Sequence, residues 1–121
     1  MVVLDTNFLV ALRAQEPAAI RLLADLAGER LLVPSVVAVE FLTGFPDVEA
    51  ARDGLERSFH VEHTNGDWLV AAARMRRRLR GAGRARLADA WIATWATLHD
   101  TFVVTRNETD FQRLGVRTRA W

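Results

Sequence analysis

The stretch VVLDTNFLVAL, residues 2–12, joins a short apolar run to a longer one through three polar residues. Val2 to Leu4 are uninterrupted by any polar side chain, which is typical of a strand covered on both faces. The second apolar run has the length and spacing of a helix. Asp5, Thr6 and Asn7 therefore stand where a buried strand passes into a helix, and a carboxylate at that point needs an explanation.

The rest of the chain repeats this alternation of short apolar runs and longer helical segments. Apolar strands separated by helices indicate a parallel sheet covered on both faces. We therefore predict an α/β fold, a three-layer α/β/α sandwich with a short central parallel sheet, in a single domain spanning residues 1–121. The predicted strands are residues 2–4, 31–33, 60–62, 101–105 and 116–118, and the predicted helices are 7–14, 17–27, 34–43, 46–58, 64–80, 87–98 and 110–114.

The composition excludes several classes of protein. The chain has 121 residues and no cysteine, so it has neither a disulfide framework nor a thiolate metal site. Its first apolar run has no basic leader and is cut by Asp5, which is unlike a signal peptide. No apolar run reaches the roughly 20 residues of a membrane span. We expect a cytoplasmic protein that does not enter a membrane.

Four acidic residues interrupt or border apolar segments, namely Asp5, Glu40, Asp89 and Asp110. Asp5 and Asp110 each follow a predicted strand, and ligands of parallel sheets gather at the carboxyl ends of the strands. Carboxylates that converge in an apolar pocket raise one another's pKa, and a hard divalent cation relieves their repulsion. Because the chain has no cysteine, and no histidine lies near these acids in sequence, Mg²⁺ or Mn²⁺ fits better than zinc.

Each acid also has a local explanation. Asp5, Asp89 and Asp110 are placed to cap a helix or to lie in its first turn. Glu40 can be a partly exposed residue at a helix edge, or it can pair with an arginine. These explanations stay open for each residue singly, whereas the four acids together favour a metal site.

Four segments together resemble the PIN domain, and in particular the VapC-type toxin ribonucleases: VVLDTNFLVAL, VPSVVAVEFL, LADAWIATWA and VVTRNETDF. The resemblance covers essentially the whole chain, with the segments in the family's order and at its usual spacings. The chain departs from the family at Trp91 and Trp95, where small residues are usual. We expect these two side chains to fill the core or a dimer contact.

The resemblance implies a metal-dependent endoribonuclease that hydrolyses RNA with one or two Mg²⁺ or Mn²⁺ ions. The residues that match the family's catalytic, metal-binding acids are Asp5, Glu40, Asp89 and Asp110. The residues that match its supporting polar positions are Asn7, Thr105 and Asn107. The resemblance also implies a cognate antitoxin that keeps the nuclease inactive, and a homodimer.

The basic residues are concentrated in one segment. All sixteen are arginines, and seven of them lie between residues 74 and 86, where there is no acid. An acidic pocket repels a polyanion, and flanking arginines offset this by holding phosphates. The candidates for RNA binding are Arg74, Arg77, Arg78, Arg84 and Arg86. The alternative is a solvated helix face.

Three other functions fit parts of the pattern. The chain can be a PIN nuclease of RNA processing outside any toxin pair, or a catalytically silent PIN scaffold that binds RNA. A haloacid-dehalogenase-type phosphatase also begins with a strand followed by aspartate. That class needs a second aspartate where this chain has Asn7, and the chain has no lysine to assist phosphate transfer.

Overall fold

Strands and helices alternate along the chain. The computed structural model describes residues 1–63, 69–71, 73–74 and 87–121. The strands are β1 (Val2–Leu4), β2 (Leu31–Pro34), β3 (His60–Glu62), β4 (Phe102–Val104) and β5 (Arg117–Arg119). The helices are α1 (Thr6–Arg13), α2 (Pro17–Asp25), α3 (Ser35–Leu42), α4 (Val48–Ser58), α5 (Leu87–Leu98) and α6 (Glu108–Arg113). The predicted helix 64–80 falls mostly outside the described residues, although residues 69–71, 73 and 74 within it are helical.

The strands form one parallel sheet in the order β3-β2-β1-β4-β5. The chain first moves outward from β1 to β3 and then crosses back to lay β4 on the other side of β1. Helical crossovers between parallel strands are right-handed. Connections that run in opposite directions along the sheet therefore place their helices on opposite faces of it. The three-layer α/β/α arrangement is thereby confirmed, and the strand order reverses between β1 and β4.

The two strands at this reversal are anchored in the core. Val3 lies opposite Val103 and Leu4 opposite Val104, and all four side chains are buried. Full burial of such a side chain contributes about 1.5–3 kcal/mol, so the pairing is strongly held. The carboxyl ends of β1 and β4 are therefore fixed beside each other.

Several helices and strands begin at other residues than predicted. Helix α1 begins at Thr6, one residue early, because the Asp5 side chain accepts the Thr6 backbone N–H and caps it. Helix α6 begins at Glu108, which places Asp110 inside its first turn. The last strand begins at Arg117 instead of residue 116, since Gly115, with a φ of +74°, turns the chain after α6.

Helix α5 is buried along most of its length, as its apolar sequence predicts. Trp95 belongs to the core and Trp91 packs against it, so the two indoles fill space inside the domain. None of the helices that the structure describes has the length and apolar character needed to cross a bilayer.

Candidate active site

Asp5 lies at the carboxyl end of β1, beside the end of β4. In parallel α/β sheets this reversal of strand order opens a crevice, and ligands bind there. The Asp5 side chain is only 8% exposed. Its Oδ1 accepts the Thr6 backbone N–H at 2.7 Å, and its Oδ2 accepts the Thr105 hydroxyl at 2.7 Å. Asp5 thus caps α1 and still presents a nearly buried carboxylate at the crevice.

Thr105 is the centre of the hydrogen bonds around Asp5. It is fully buried at the end of β4, and its hydroxyl donates to Asp5. The same oxygen accepts the Asn7 side-chain amide at 3.3 Å and the Asn107 backbone N–H at 2.9 Å. The structure therefore brings together four of the residues singled out in the sequence, which are Asp5, Asn7, Thr105 and Asn107.

Thr6 connects Asp5 to Glu40, a role that the sequence analysis missed. While its backbone N–H donates to Asp5, its hydroxyl donates to Glu40 Oε2 at 2.5 Å. Glu40 is exposed, which agrees with the helix-edge position left open for it in the sequence. Val39 beside it is also exposed, so this side of α3 faces outward despite its apolar sequence. The sequence does contain one signal for this role, since Thr6 lies between Asp5 and Asn7, two candidate site residues.

The environment of Asp5 opposes its ionisation. Burial raises the pKa of the Asp5 carboxyl above its ordinary value, and the nearby Glu40 charge raises it further. The hydrogen bonds from Thr105 and Thr6 act the other way but do not restore the ordinary pKa. A cation next to Asp5 would favour the ionised form of its carboxyl.

The raised pKa of Asp5 predicts a specific pH dependence of stability. The folded protein binds this proton more tightly than the unfolded chain, so Asp5 lowers stability as pH rises from its ordinary pKa through its folded pKa. In Asp5→Asn this dependence is absent. We expect the unfolding free energy of the metal-free wild type, relative to Asp5→Asn, to fall with rising pH in that window. Chemical denaturation of both proteins at matched pH measures the difference, and a flat difference would contradict the raised pKa.

Asp89 and Asp110 lie in the first turns of helices α5 and α6. Helix α5 leads into the amino end of β4 and α6 follows its carboxyl end, so both first turns belong to the carboxyl edge of the sheet. Asp89 is half-buried, whereas the Asp110 side chain is 49% exposed and lies 3.8 Å from Arg113. Both positions agree with the helix-terminal roles left open for these acids.

The donor atoms around Asp5 are of the kind that a hard divalent cation prefers. Asp5 and Glu40 offer carboxylate oxygens, and the buried Oδ1 of Asn7 has no hydrogen-bond partner in the described part of the chain. Within residues 1–63, 69–71, 73–74 and 87–121, no three histidine or acidic side chains form a cluster ready to hold a metal. Mg²⁺ keeps several waters and needs as few as one or two protein carboxylates, so the residues present fit such an ion.

Comparison with known families decides where the chain belongs. Residues 2–116 match the family model described as the PIN domain. The chain belongs to the PIN domain family. PIN domains are generally nucleases. Membership in this family argues against the haloacid-dehalogenase-type phosphatase that the first strand and Asp5 left open. A search of curated proteins finds no significant match.

Solved structures show the same PIN fold in toxin–antitoxin complexes. The DNA-bound VapBC of Salmonella typhimurium has a TM-score of 0.83 at 24% identity, covering 99% of this chain and 97% of that one. VapBC2 of Rickettsia felis, bound to a fragment of its promoter DNA, has a TM-score of 0.81 at 21% identity, covering 100% and 99%. A toxin–antitoxin complex from Klebsiella pneumoniae has a TM-score of 0.75 at 23% identity, covering 92% and 90%. At these identities the likeness shows the fold.

Proposed function

We propose that this PIN domain is a Mg²⁺- or Mn²⁺-dependent endoribonuclease and the toxin of a VapBC-type pair. The observation that carries the proposal is the nearly buried Asp5 carboxylate, held by Thr105 at the reversal of strand order and joined to Glu40 through Thr6. A domain does not keep an ionisable carboxylate out of water without a compensating partner. The two hydrogen bonds to Asp5 do not restore its ordinary pKa, and a metal ion bound at this edge would supply the remaining compensation.

The proposed metal ligands are Asp5 and Glu40, with Asp89 and Asp110 supplied by the first turns of α5 and α6. When bound, one or two such ions lower the pKa of a water and stabilise charge on a phosphodiester. The chain's own task is positioning. Thr105 and the Thr6 backbone fix both oxygens of Asp5, while the Thr6 hydroxyl holds Glu40 toward it. Asn7 and Asn107 fix Thr105 in turn.

The proposed partner is a cognate antitoxin in the cytoplasm. The support is the shared fold of this chain with the VapBC and toxin–antitoxin complexes, over nearly the full length of both chains. We also propose a homodimer, as the family resemblance implies. A PIN nuclease of RNA processing has the same site without the antitoxin, and co-purification with the product of a neighbouring gene separates the two.

We propose the arginine-rich segment as the surface that holds the RNA backbone. Its support is the concentration of positive charge close in sequence to Asp89. Arg74 is helical and its side chain is exposed. The other candidates lie outside the described residues; they are Arg77, Arg78, Arg84 and Arg86.

Cleavage of total cellular RNA tests the nuclease. With Mg²⁺ or Mn²⁺ we expect discrete new RNA ends, and with EDTA we expect none. Calorimetric titration of Mn²⁺ into the purified protein is the companion measurement, because the silent RNA-binding scaffold predicts RNA binding with neither metal binding nor cleavage. The scaffold is tested as well because no three acidic or histidine side chains among the described residues form a cluster ready to hold a metal.

A further inference from the structure

Three side chains that are far apart in sequence meet beside the candidate site. Arg106 donates from Nη2 to Glu16 Oε2 at 2.5 Å and from Nη1 to Oε1 at 3.4 Å. The Trp121 indole N–H donates to the same Oε2 at 3.2 Å. The Arg106 guanidinium also lies over the Trp121 ring, 4.4 Å from its centroid. Each of the three side chains therefore contacts the other two.

This cluster is joined to the site on two sides. Arg106 stands between Thr105 and Asn107. The Asn107 backbone N–H donates to the Thr105 hydroxyl, which itself donates to Asp5. Trp121 packs edge-on against Phe8 of α1, with ring centroids 5.1 Å apart. Phe8 is fully buried, and the Phe8 N–H donates to the Asp5 backbone carbonyl at 3.2 Å. The cluster thus links the end of β4 to the start of α1.

We propose that Glu16, Arg106 and Trp121 form a clamp that positions the loop of residues 105–107, so that Thr105 stays hydrogen-bonded to Asp5. The clamp residues are positioning residues, since none of them contacts Asp5. Their effect on cleavage rests on the proposed function, whereas their effect on the loop does not.

The charges in the clamp argue against a direct role of Arg106 on RNA. The hydrogen bonds from Arg106 and Trp121 hold the pKa of the Glu16 carboxyl below its ordinary value, so Glu16 is ionised and offsets the Arg106 charge. A guanidinium engaged by a carboxylate and stacked on an indole is a poor free phosphate contact. An exposed ion pair also contributes little to overall stability, so the local effect on the loop is the one to measure.

Hydrogen exchange of the Asn107 amide tests the loop directly. In the structure this N–H donates to the Thr105 hydroxyl, so its protection from exchange reports whether the loop of residues 105–107 keeps this hydrogen bond. We expect Arg106→Gln to speed Asn107 exchange about tenfold without changing that of Val103 and Val104 in the core. Trp121→Phe keeps a ring for both Arg106 and Phe8 and is expected to stay near wild type, whereas Trp121→Ala should behave like Arg106→Gln.

Arg117→Gln is the matched control, because it breaks another exposed pair of an arginine with a carboxylate, Arg117 with Asp100, at the amino ends of β4 and β5. If Asn107 exchange is unchanged in Arg106→Gln, or rises equally in Arg117→Gln, the clamp does not order the loop and the proposal is overturned.

RNA cleavage tests the second half of the proposal. For Arg106→Gln we expect kcat to fall about tenfold with KM nearly unchanged, since misplacing a reactive group impairs the chemical step more than binding. Faster Asn107 exchange with an unchanged kcat would overturn the positioning role. If the wild type itself cleaves no RNA, the proposed function fails, and the exchange measurement still decides whether the clamp holds the loop.

Discussion

Replacing Asp5 with asparagine is expected to slow metal-dependent RNA cleavage about a thousandfold, equivalent to about 4 kcal/mol of lost transition-state stabilisation. The substitution removes the charge from the best-positioned carboxylate of the site while keeping its size. Asparagine also caps helices as well as aspartate does, so α1 should still begin at Thr6. Initial rates on an RNA containing a mapped cleavage site, at saturating Mg²⁺, measure the effect.

Asp47→Asn is the control for this substitution. Asp47 also caps a helix, α4, through a side-chain hydrogen bond to the Ala50 N–H, and it takes no part in the candidate site. Its activity should match that of the wild type. Substantial cleavage by folded Asp5→Asn would remove Asp5 from the metal site and with it the main support for the proposed mechanism.

Thr105→Val is expected to lower both activity and stability. Valine keeps the shape of threonine but removes the hydroxyl that donates to Asp5 and accepts from Asn7 and Asn107. Each buried group left without a partner costs about 1–3 kcal/mol, so we expect a loss of about 3 kcal/mol in unfolding free energy. We expect kcat to fall about a hundredfold because Asp5 loses one of its two fixed contacts. Denaturant unfolding and single-turnover cleavage measure the two effects.

Two variants isolate the cause of these losses. Thr105→Ser restores the hydroxyl and should recover most of the activity. Thr94→Val makes the same change at a threonine that is 2% exposed, whose hydroxyl donates only to the Ala90 carbonyl of its own helix in the described structure. If Thr94→Val impairs cleavage as much as Thr105→Val does, general destabilisation explains the loss, and the hydrogen bond to Asp5 does not.

The architecture was readable from the sequence because burial on both faces leaves continuous apolar strands. The run from Val2 to Leu4 and the FVV of β4 predicted a parallel sheet, in which β1 is the central strand and β4 lies beside it. The position of Asp5 just after β1 followed from the same pattern. The order of the strands in the sheet did not follow from this pattern, since it depends on which side of β1 each later strand is placed. Thr105 was singled out only because it matches a supporting polar position of the family that the sequence resembles.

The details of the site depended on contacts that sequence patterns do not reveal. Glu40 lies in an apolar sequence, yet its side of α3 faces solvent, because the burial of a helix face is decided by its neighbours. Thr6 has two donors aimed at two carboxylates, which required the relative position of α1 and α3. The meeting of Glu16, Arg106 and Trp121 likewise joins three distant segments. Asp89 and Asp110 were placed correctly at the starts of helices, and their binding of metal stays a prediction.

The strand order also governs when the site can exist during synthesis. Asp5 is synthesised 100 residues before its hydrogen-bond partner Thr105. Until β4 has emerged and inserted beside β1, the carboxylate has no hydroxyl to hold it. A nascent chain that stalls or is cut before Thr105 therefore carries the aspartate without the hydrogen bond that orients it. Translation itself thus delays the assembly of the proposed nuclease until nearly all of this sequence has been made.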